Sequence, residues 1–223
     1  MDLTTPAHAV IPSLDAEVLL ALVGITMPMT GRQIERVIEA KSYRGVSLVL
    51  DRLREQGLLN VQKAGNANLY TFNRDHIAAP AVEALVDLRG KLFERIGKAI
   101  NEWTIHPVSA AVFGSASRGD GGVKSDIDIL IIRPNRLRPS SRSDELSEVV
   151  EPQKSYSEMW SAQLLELSHW VYQWSGNPAS LIQVSLSQFQ EMVERGEPIV
   201  ESLRNEARYI WGPDTLKMVE ARR

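Results

Sequence analysis

The sequence contains no cysteine among its 223 residues. This absence excludes disulfide bonds, thiolate catalysis and cysteine-ligated zinc, and it agrees with a reducing compartment. No apolar run reaches the roughly 18 residues that a membrane span needs, and the longest one, residues 18–31, is interrupted by Pro28. A secretory signal would place a basic segment before an apolar one, and this pattern is missing as well. We therefore expect a soluble, cytoplasmic protein with no membrane contact.

A strong charge of one sign is also missing. The chain has 25 basic and 28 acidic residues, which give a formal net charge of -3. The whole protein is therefore not a polycation for nucleic acid, although a local patch could still bind it. Hydrophobic residues make up 43% and charged residues 24%, which is typical of globular proteins. The length allows one large domain or two small ones, and the patterns along the chain favour two, residues 1–76 and 77–223.

The first half has helical periodicity followed by two short strand patterns. Thr30 and Gln33 have the spacing of a capping box, and Gly57 stands where a helix C-cap is expected. Gly65-Asn66 is a turn pair between the two strand patterns. The predicted helices and strands are residues 14–25, 31–40, 42–56, 58–62 and 68–72.

Three helices followed by a hairpin resemble the winged helix-turn-helix module, here over about residues 12–75, including LDRLREQGLLNVQKAGNANLYTFN. In that family the third helix enters the major groove of duplex DNA and the wing contacts the backbone. The resemblance implies that Tyr43, Arg44 and Ser47 face DNA, with Lys63 near the wing tip. Residues 31–76 carry eight basic and five acidic side chains, a mild local excess of positive charge that agrees with DNA binding.

Two uses of this module remain open. DNA binding is favoured over dimerisation or protein contact. A homodimer is compatible with DNA binding, because helix-turn-helix proteins commonly bind two half-sites.

In the second half, a helical pattern over residues 78–103 leads into VSAAVFGSASRGDGGVKSDIDILII, residues 108–132. Residues 110–113 and 127–132 read as strands. Asp126 and Asp128 would project from one face, since side chains alternate along a strand. Two adjacent carboxylates repel each other, and a hard divalent cation such as Mg²⁺ resolves that repulsion.

The strand before the aspartates ends at Gly114-Ser115. Backbone N–H groups and the hydroxyl at this break could hold phosphate oxygens, with a short helix over residues 116–118 adding partial positive charge. A phosphate cradle beside two carboxylates is suited to transfer at a nucleotide phosphate.

These residues resemble the polymerase-beta-like nucleotidyltransferases, in particular their minimal prokaryotic branch. The shared motif is Gly114-Ser115, Arg118-Gly119 and Asp126-Ile127-Asp128, with Ser125 before the first aspartate. The resemblance covers roughly residues 80–215 and implies a mixed sheet flanked by helices, hence an α+β protein. It further implies that Asp126 and Asp128 bind Mg²⁺ or Mn²⁺ and form the catalytic pair. Gly114, Ser115, Arg118 and Ser125 would bind a nucleoside triphosphate, with Arg118 contacting phosphate or bracing the loop.

Other interpretations of this segment are weaker. A P-loop needs Lys after its second glycine, and this chain has Asp120 there. A calcium loop needs further oxygen ligands and a late Glu, which are missing. A purely structural Gly-rich turn does not explain two acids on a strand otherwise built of isoleucine.

Active members of the family carry a third carboxylate on a later strand. The candidate strand is residues 180–185, and the family register predicts that Gln183 replaces the acid, where an amide cannot act as a base. Glu191, Glu194 and Glu197 could substitute only with a suitable geometry. The protein then either transfers a nucleoside monophosphate with a reduced site, or it is a DNA-binding regulator or antitoxin-like protein. In the second case its degenerate domain senses nucleotide or dimerises.

The remaining features give weaker indications. A basic loop beyond the aspartates could suit an RNA or DNA acceptor; its arginines are Arg133, Arg136, Arg138 and Arg142. Members of the resembled branch modify tRNA, protein or small molecules, so a protein acceptor is implied as well. An apolar stripe at helical spacing predicts core; it consists of Trp160, Leu164, Leu167, Val171 and Trp174. The four histidines have no metal-ligand spacing.

Overall fold

A computed structural model describes residues 1–138 and 152–221, with side chains from residue 155 onward in the second range. The chain forms two compact units. One consists of Asp2 and Thr4–Lys91, and the other of Met1, Leu3 and Leu92–Arg223. Across the described ranges, no helix combines the length and the apolar character required to cross a membrane. Arg142 of the predicted basic loop lies outside the described residues.

The N-terminal unit combines helices with a three-stranded antiparallel sheet of order β1-β3-β2. After a 3-10 turn at Pro6–Ala9, the elements are α1 (Leu14–Gly24), β1 (Met29–Thr30), α2 (Gly31–Val37), α3 (Tyr43–Glu55), β2 (Leu59–Ala64), β3 (Ala67–Phe72) and α4 (Ala79–Val86). Its core joins the helices to the hairpin through buried side chains that include Val18, Leu22, Ile34, Leu50 and Phe72. The helices and the hairpin of the sequence analysis are therefore present.

The start of α2 shows how the sequence encodes a boundary. The Thr30 hydroxyl accepts a hydrogen bond from the Gln33 backbone N–H at 3.2 Å, and the Gln33 side chain accepts one from the Thr30 N–H at 2.8 Å. This is the predicted capping box. Strand β1 was not predicted, because two residues are too short to produce a period in the sequence.

The single helix expected over residues 78–103 is two helices, α4 and α5 (Leu88–Asn101), which are separated at Asp87. Asp87 leaves the helical conformation with φ -95° and ψ 26°. Its carboxylate occupies the space that a Cβ on Gly90 would need. The apolar period continues across the break, so periodicity alone did not reveal it.

The C-terminal unit contains a mixed four-stranded sheet of order β6-β5-β4-β7. Strand β4 is antiparallel to β5 and β7, whereas β6 is parallel to β5. The further elements are β4 (Ser109–Phe113), α6 (Gly114–Arg118), β5 (Ile127–Arg133), α7 (Pro152–Ser175), β6 (Ala179–Ser185), α8 (Leu186–Arg195), α9 (Pro198–Glu206), β7 (Arg208–Trp211) and α10 (Thr215–Glu220).

Helices cover both faces of this sheet. Ile127, Ile129 and Ile131 face α5 and α7 in one buried cluster, which also contains Trp160, Leu167 and Val171. Leu130 and Ile132 face α8, α9 and α10 in another. Because side chains alternate along β5, the side chain of Asp128 lies on the second face, where the strand begins. A mixed sheet flanked by helices was the prediction for this half, and it is confirmed.

Gly97 provides a test of the packing in the C-terminal unit. A Cβ at Gly97 in α5 would collide with the backbone carbonyl oxygen of Ile210 in β7, which a side-chain rotation cannot relieve. We expect Gly97→Ala to lower the free energy of unfolding by about 2 kcal/mol through overpacking, although alanine is the better helix former. Denaturant titration followed by circular dichroism measures the change.

The matched control is Gly24→Ala. Gly24 ends α1, and apart from its chain neighbours and the backbone of its own helix, no heavy atom lies within 4 Å of the Cβ position. This variant should be neutral or slightly stabilising. Equal unfolding free energies for Gly97→Ala and the wild type would contradict the packing described for α5 and β7.

Candidate functional site

The site is built where β4 ends. Gly114 follows the last residue of β4 and has φ +68°, a backbone conformation that favours glycine. A Cβ at this position would lie 2.5 Å from Oδ2 of Asp128. Only a glycine therefore permits this approach between the turn and the carboxylate. The structure thus brings together two residues that the sequence analysis assigned to one site.

Asp128 lies on β5 between two neighbouring strands. It pairs with Phe113 of β4 and with Ser180 of β6. Burial raises the pKa of the Asp128 carboxyl, a hydrogen bond with Ser180 lowers it, and the negative charges of Asp126 and Glu206 raise it again. Asp126 is exposed and immediately precedes β5. The negative charge of Asp126 therefore acts on Asp128, and this is the repulsion expected from the sequence.

The loop before Asp126 is held by the side chain of Asn177, which is completely buried. Its amide donates to the backbone oxygen of Ser125 at 3.0 Å, and also to those of Gly122 and Val123. The Ser125 hydroxyl accepts a hydrogen bond from the Gly122 N–H at 2.9 Å. Ser125 is therefore bonded within the loop that leads into β5.

Arg118 and Ser115 lie on α6, directly after Gly114. The guanidinium of Arg118 donates to Asp120 at 3.0 Å and to Glu206 at 2.5 Å. These contacts raise the pKa of Arg118 and lower the pKa of Asp120. Of the two roles implied for Arg118, bracing the loop agrees with these contacts.

Glu206 is the last residue of α9 and reaches back to the same turn. Its carboxylate accepts hydrogen bonds from the Ser202 hydroxyl and from Arg118. The bond from Ser202, followed by that from Arg118, lowers the pKa of the Glu206 carboxyl.

The predicted register of Gln183 is wrong. Gln183 pairs with Ile131, three residues beyond Asp128, and its side chain lies on the opposite face of the sheet. There its Oε1 accepts a hydrogen bond from Trp160 Nε1 at 2.7 Å. The residue beside Asp128 is Ser180, which can form a hydrogen bond but carries no charge at neutral pH.

The site offers few acidic side chains that could bind a metal ion. Among the residues that the structure describes, no cluster of three or more His, Cys, Asp or Glu side chains could hold a metal ion. Glu191, Glu194 and Glu197 therefore do not complete a three-acid site with the aspartates. Asp126 and Asp128 remain as a pair of hard oxygen donors. Burial, with smaller contributions from the charges of Asp126 and Glu206, raises the pKa of Asp128.

The residues predicted to face DNA lie in the N-terminal unit. Tyr43, Arg44 and Ser47 occupy the first turns of α3, and Lys63 lies on β2 close to the hairpin turn. The guanidinium of Arg32 lies over the Tyr43 ring, 3.9 Å from its centre. Arg44 and Lys63 are exposed, whereas Tyr43 and Ser47 are partly buried.

Three residues of the site were missed by the sequence analysis: Ser180, Asn177 and Glu206. Ser180 lies within the predicted strand, but its register depends on strand pairing. Asn177 lies within a predicted turn, where asparagine is common and does not by itself indicate a functional role. Glu206 is 88 residues from Arg118 in sequence. No local pattern could have indicated that contact.

Part of the chain is similar to a known protein family. No curated protein and no solved structure matches the chain. A family model does match, over a segment that includes β4, the Gly114 turn and both aspartates. The model is that of the nucleotidyltransferase domain, and residues 94–162 match it.

Proposed function

We propose that this protein transfers a nucleoside monophosphate from a nucleoside triphosphate to an acceptor at the site formed by Gly114, Asp126 and Asp128. The observation that carries the proposal is the approach of Gly114 to the Asp128 carboxylate. It lies inside the segment that matches the nucleotidyltransferase domain. A glycine turn close to an acidic residue suits a nucleotide whose phosphate groups are bound to a divalent cation.

Asp126 and Asp128 are the residues that would hold a divalent cation, Mg²⁺ or Mn²⁺. Both offer hard oxygen donors. Burial and the nearby negative charges of Asp126 and Glu206 raise the pKa of Asp128, and a cation bound there would offset those charges. When bound, such a cation neutralises charge on the phosphate oxygens.

The other residues bind and orient the nucleotide. Ser115 and the backbone at Gly114 would hold the triphosphate, Arg118 would contact a phosphate or brace the loop, and Ser125 would keep the loop in place. The acceptor hydroxyl attacks the α-phosphate, and pyrophosphate leaves in line with it. Ser180 cannot remove the proton from that hydroxyl at neutral pH, so we expect slow turnover.

Label transfer tests this proposal. The protein is incubated with Mg²⁺, each α-labelled nucleoside triphosphate, and total cellular RNA and protein as acceptors. We expect transfer by the wild type and a loss of about 100-fold or more in the double variant Asp126→Asn plus Asp128→Asn, since positioning and charge stabilisation both fail. Glu158→Gln neutralises an exposed acid outside the site, so it serves as a control and should keep the activity. Undiminished transfer by the double variant would overturn the site.

A second experiment uses the corrected register. Ser180→Asp places a carboxylate next to Asp128, so we expect turnover to rise about tenfold or more. Mg²⁺ should also raise the melting temperature of this variant more than that of the wild type. Ser180→Asn, which has the same shape without the charge, should show neither gain. An increase in Gln183→Asp instead would contradict the pairing of β6 with β5.

We further propose that the N-terminal unit is a winged helix-turn-helix module that binds duplex DNA, with α3 in the major groove and the β2–β3 hairpin as the wing. Its basic side chains support this. Several arginines are paired with acids, in the pairs Arg32–Glu35, Arg52–Asp15, Arg54–Asp51 and Arg74–Glu83. Within the described ranges, Arg44 and Lys63 have no such partner and remain available to phosphates.

Binding of duplex DNA over a range of salt concentrations checks the second proposal. We expect Arg44→Ala and Lys63→Ala each to weaken binding and to reduce the slope of log K against log salt by about one. Arg54→Ala removes the same charge from the last turn of α3, where Asp51 already pairs with it, and should change the slope less. Equal slopes in all variants would contradict this DNA interface.

The alternative function is a DNA-binding regulator or antitoxin-like protein whose transferase domain only senses nucleotide or dimerises. The presence of Gly114, Asp126 and Asp128 favours retained nucleotide binding in either case. Nucleotide binding without label transfer to any RNA or protein acceptor, together with sequence-specific duplex binding, would favour the regulator, with a homodimer as its expected form.

A further inference from the structure

Glu206 occupies a donor that a phosphate group could use. Its side chain is only 11% exposed, and its carboxylate accepts a hydrogen bond from the guanidinium of Arg118. Arg118 ends the short helix α6, which begins at the Gly114 turn that the proposed function assigns to the triphosphate. A carboxylate and a phosphate oxygen compete for the same N–H groups, since both are anionic acceptors.

Two further bonds hold Glu206 in this position. The Ser202 hydroxyl, one helical turn earlier on α9, donates to the carboxylate. The Ser117 hydroxyl donates to the backbone carbonyl of Glu206, which ties the end of α9 to α6. The carboxylate is therefore fixed by its own helix and by the turn that it contacts.

The positive charge of Arg118 is already paired with acids of the protein. Its guanidinium donates to Asp120 and to Glu206, so two carboxylates share one cation. The charge of Glu206 additionally acts on Asp128. A triphosphate that enters the site therefore finds carboxylates already bonded to Arg118, a residue that the sequence motif predicts to be a hydrogen-bond donor for phosphate.

We propose that Glu206 is an internal competitor for the phosphate of the nucleotide, so that binding requires displacement of its carboxylate from Arg118. This inference rests on the proposed function. If the open form is only a fraction of the population, the apparent affinity for nucleotide falls by that fraction. Helix α9 then regulates the site through its last side chain.

Isothermal titration of the full chain with inorganic tripolyphosphate and with a non-hydrolysable nucleoside triphosphate, each with Mg²⁺, tests the inference. We expect Glu206→Gln to bind both ligands about tenfold more tightly than the wild type, because the amide keeps the shape but not the charge. Ser202→Ala leaves the acid in place and removes its support, so it should tighten binding to a smaller extent. Glu201→Gln, an exposed acid on the same helix, should bind as the wild type does.

The outcomes separate this inference from the proposed function. Binding by the wild type that is unchanged or weakened in Glu206→Gln, and lost in Asp126→Asn plus Asp128→Asn, would overturn the competitor role and leave the proposed function standing. Failure of every variant to bind either ligand would overturn both. Melting curves establish that Glu206→Gln is folded, and Ser202→Ala tests the same contact without altering the acid.

Discussion

The contact between the Gly114 backbone and the Asp128 carboxylate is the constraint on which the site depends. It requires glycine at φ +68°. At this residue β4 has ended and α6 begins, beside the neighbouring strand β5. This contact also sets the distance between the acids and the turn that we propose binds phosphate, because Phe113 is paired directly with Asp128. A larger residue would push either the turn or the carboxylate out of the position that the proposed chemistry needs.

The residues of the motif could be predicted because their relation is local. Gly114 and Asp128 belong to one hairpin-like connection, and apolar runs on either side identify its strands. The pairing of β6 could not be predicted in this way, since a parallel strand arrives after a long crossover and its own alternation does not specify its register. A shift of three residues moved the expected position from Ser180 to Gln183 and to the other face of the sheet. The helix break at Asp87 and the contact between Glu206 and Arg118 could not be predicted either, because neither produces a local pattern in the sequence.

Net charge is a poor guide to this molecule because its charges are locally organised. Asp120, Asp126, Asp128 and Glu206 lie around one turn, and Arg118 is bonded to two of them. In the N-terminal unit Asp15 and Asp51 are paired with arginines of α3, whereas Arg44 and Lys63 are exposed. This organisation supports the proposals of a cation-bearing ligand for one unit and of a polyanion for the other.

Strand β6 is fastened at both ends. Asn177, two residues before it, is bonded to the loop that precedes β5, and Ser185, its last residue, forms a capping box with Gln188 of α8. Neither end can slide while the other is held. Residues 178–184 should therefore accept substitutions far more readily than changes in length, since one inserted residue would turn alternate side chains to the wrong face. The chemistry beside Asp128 can then evolve by replacing Ser180, but not by re-registering the strand.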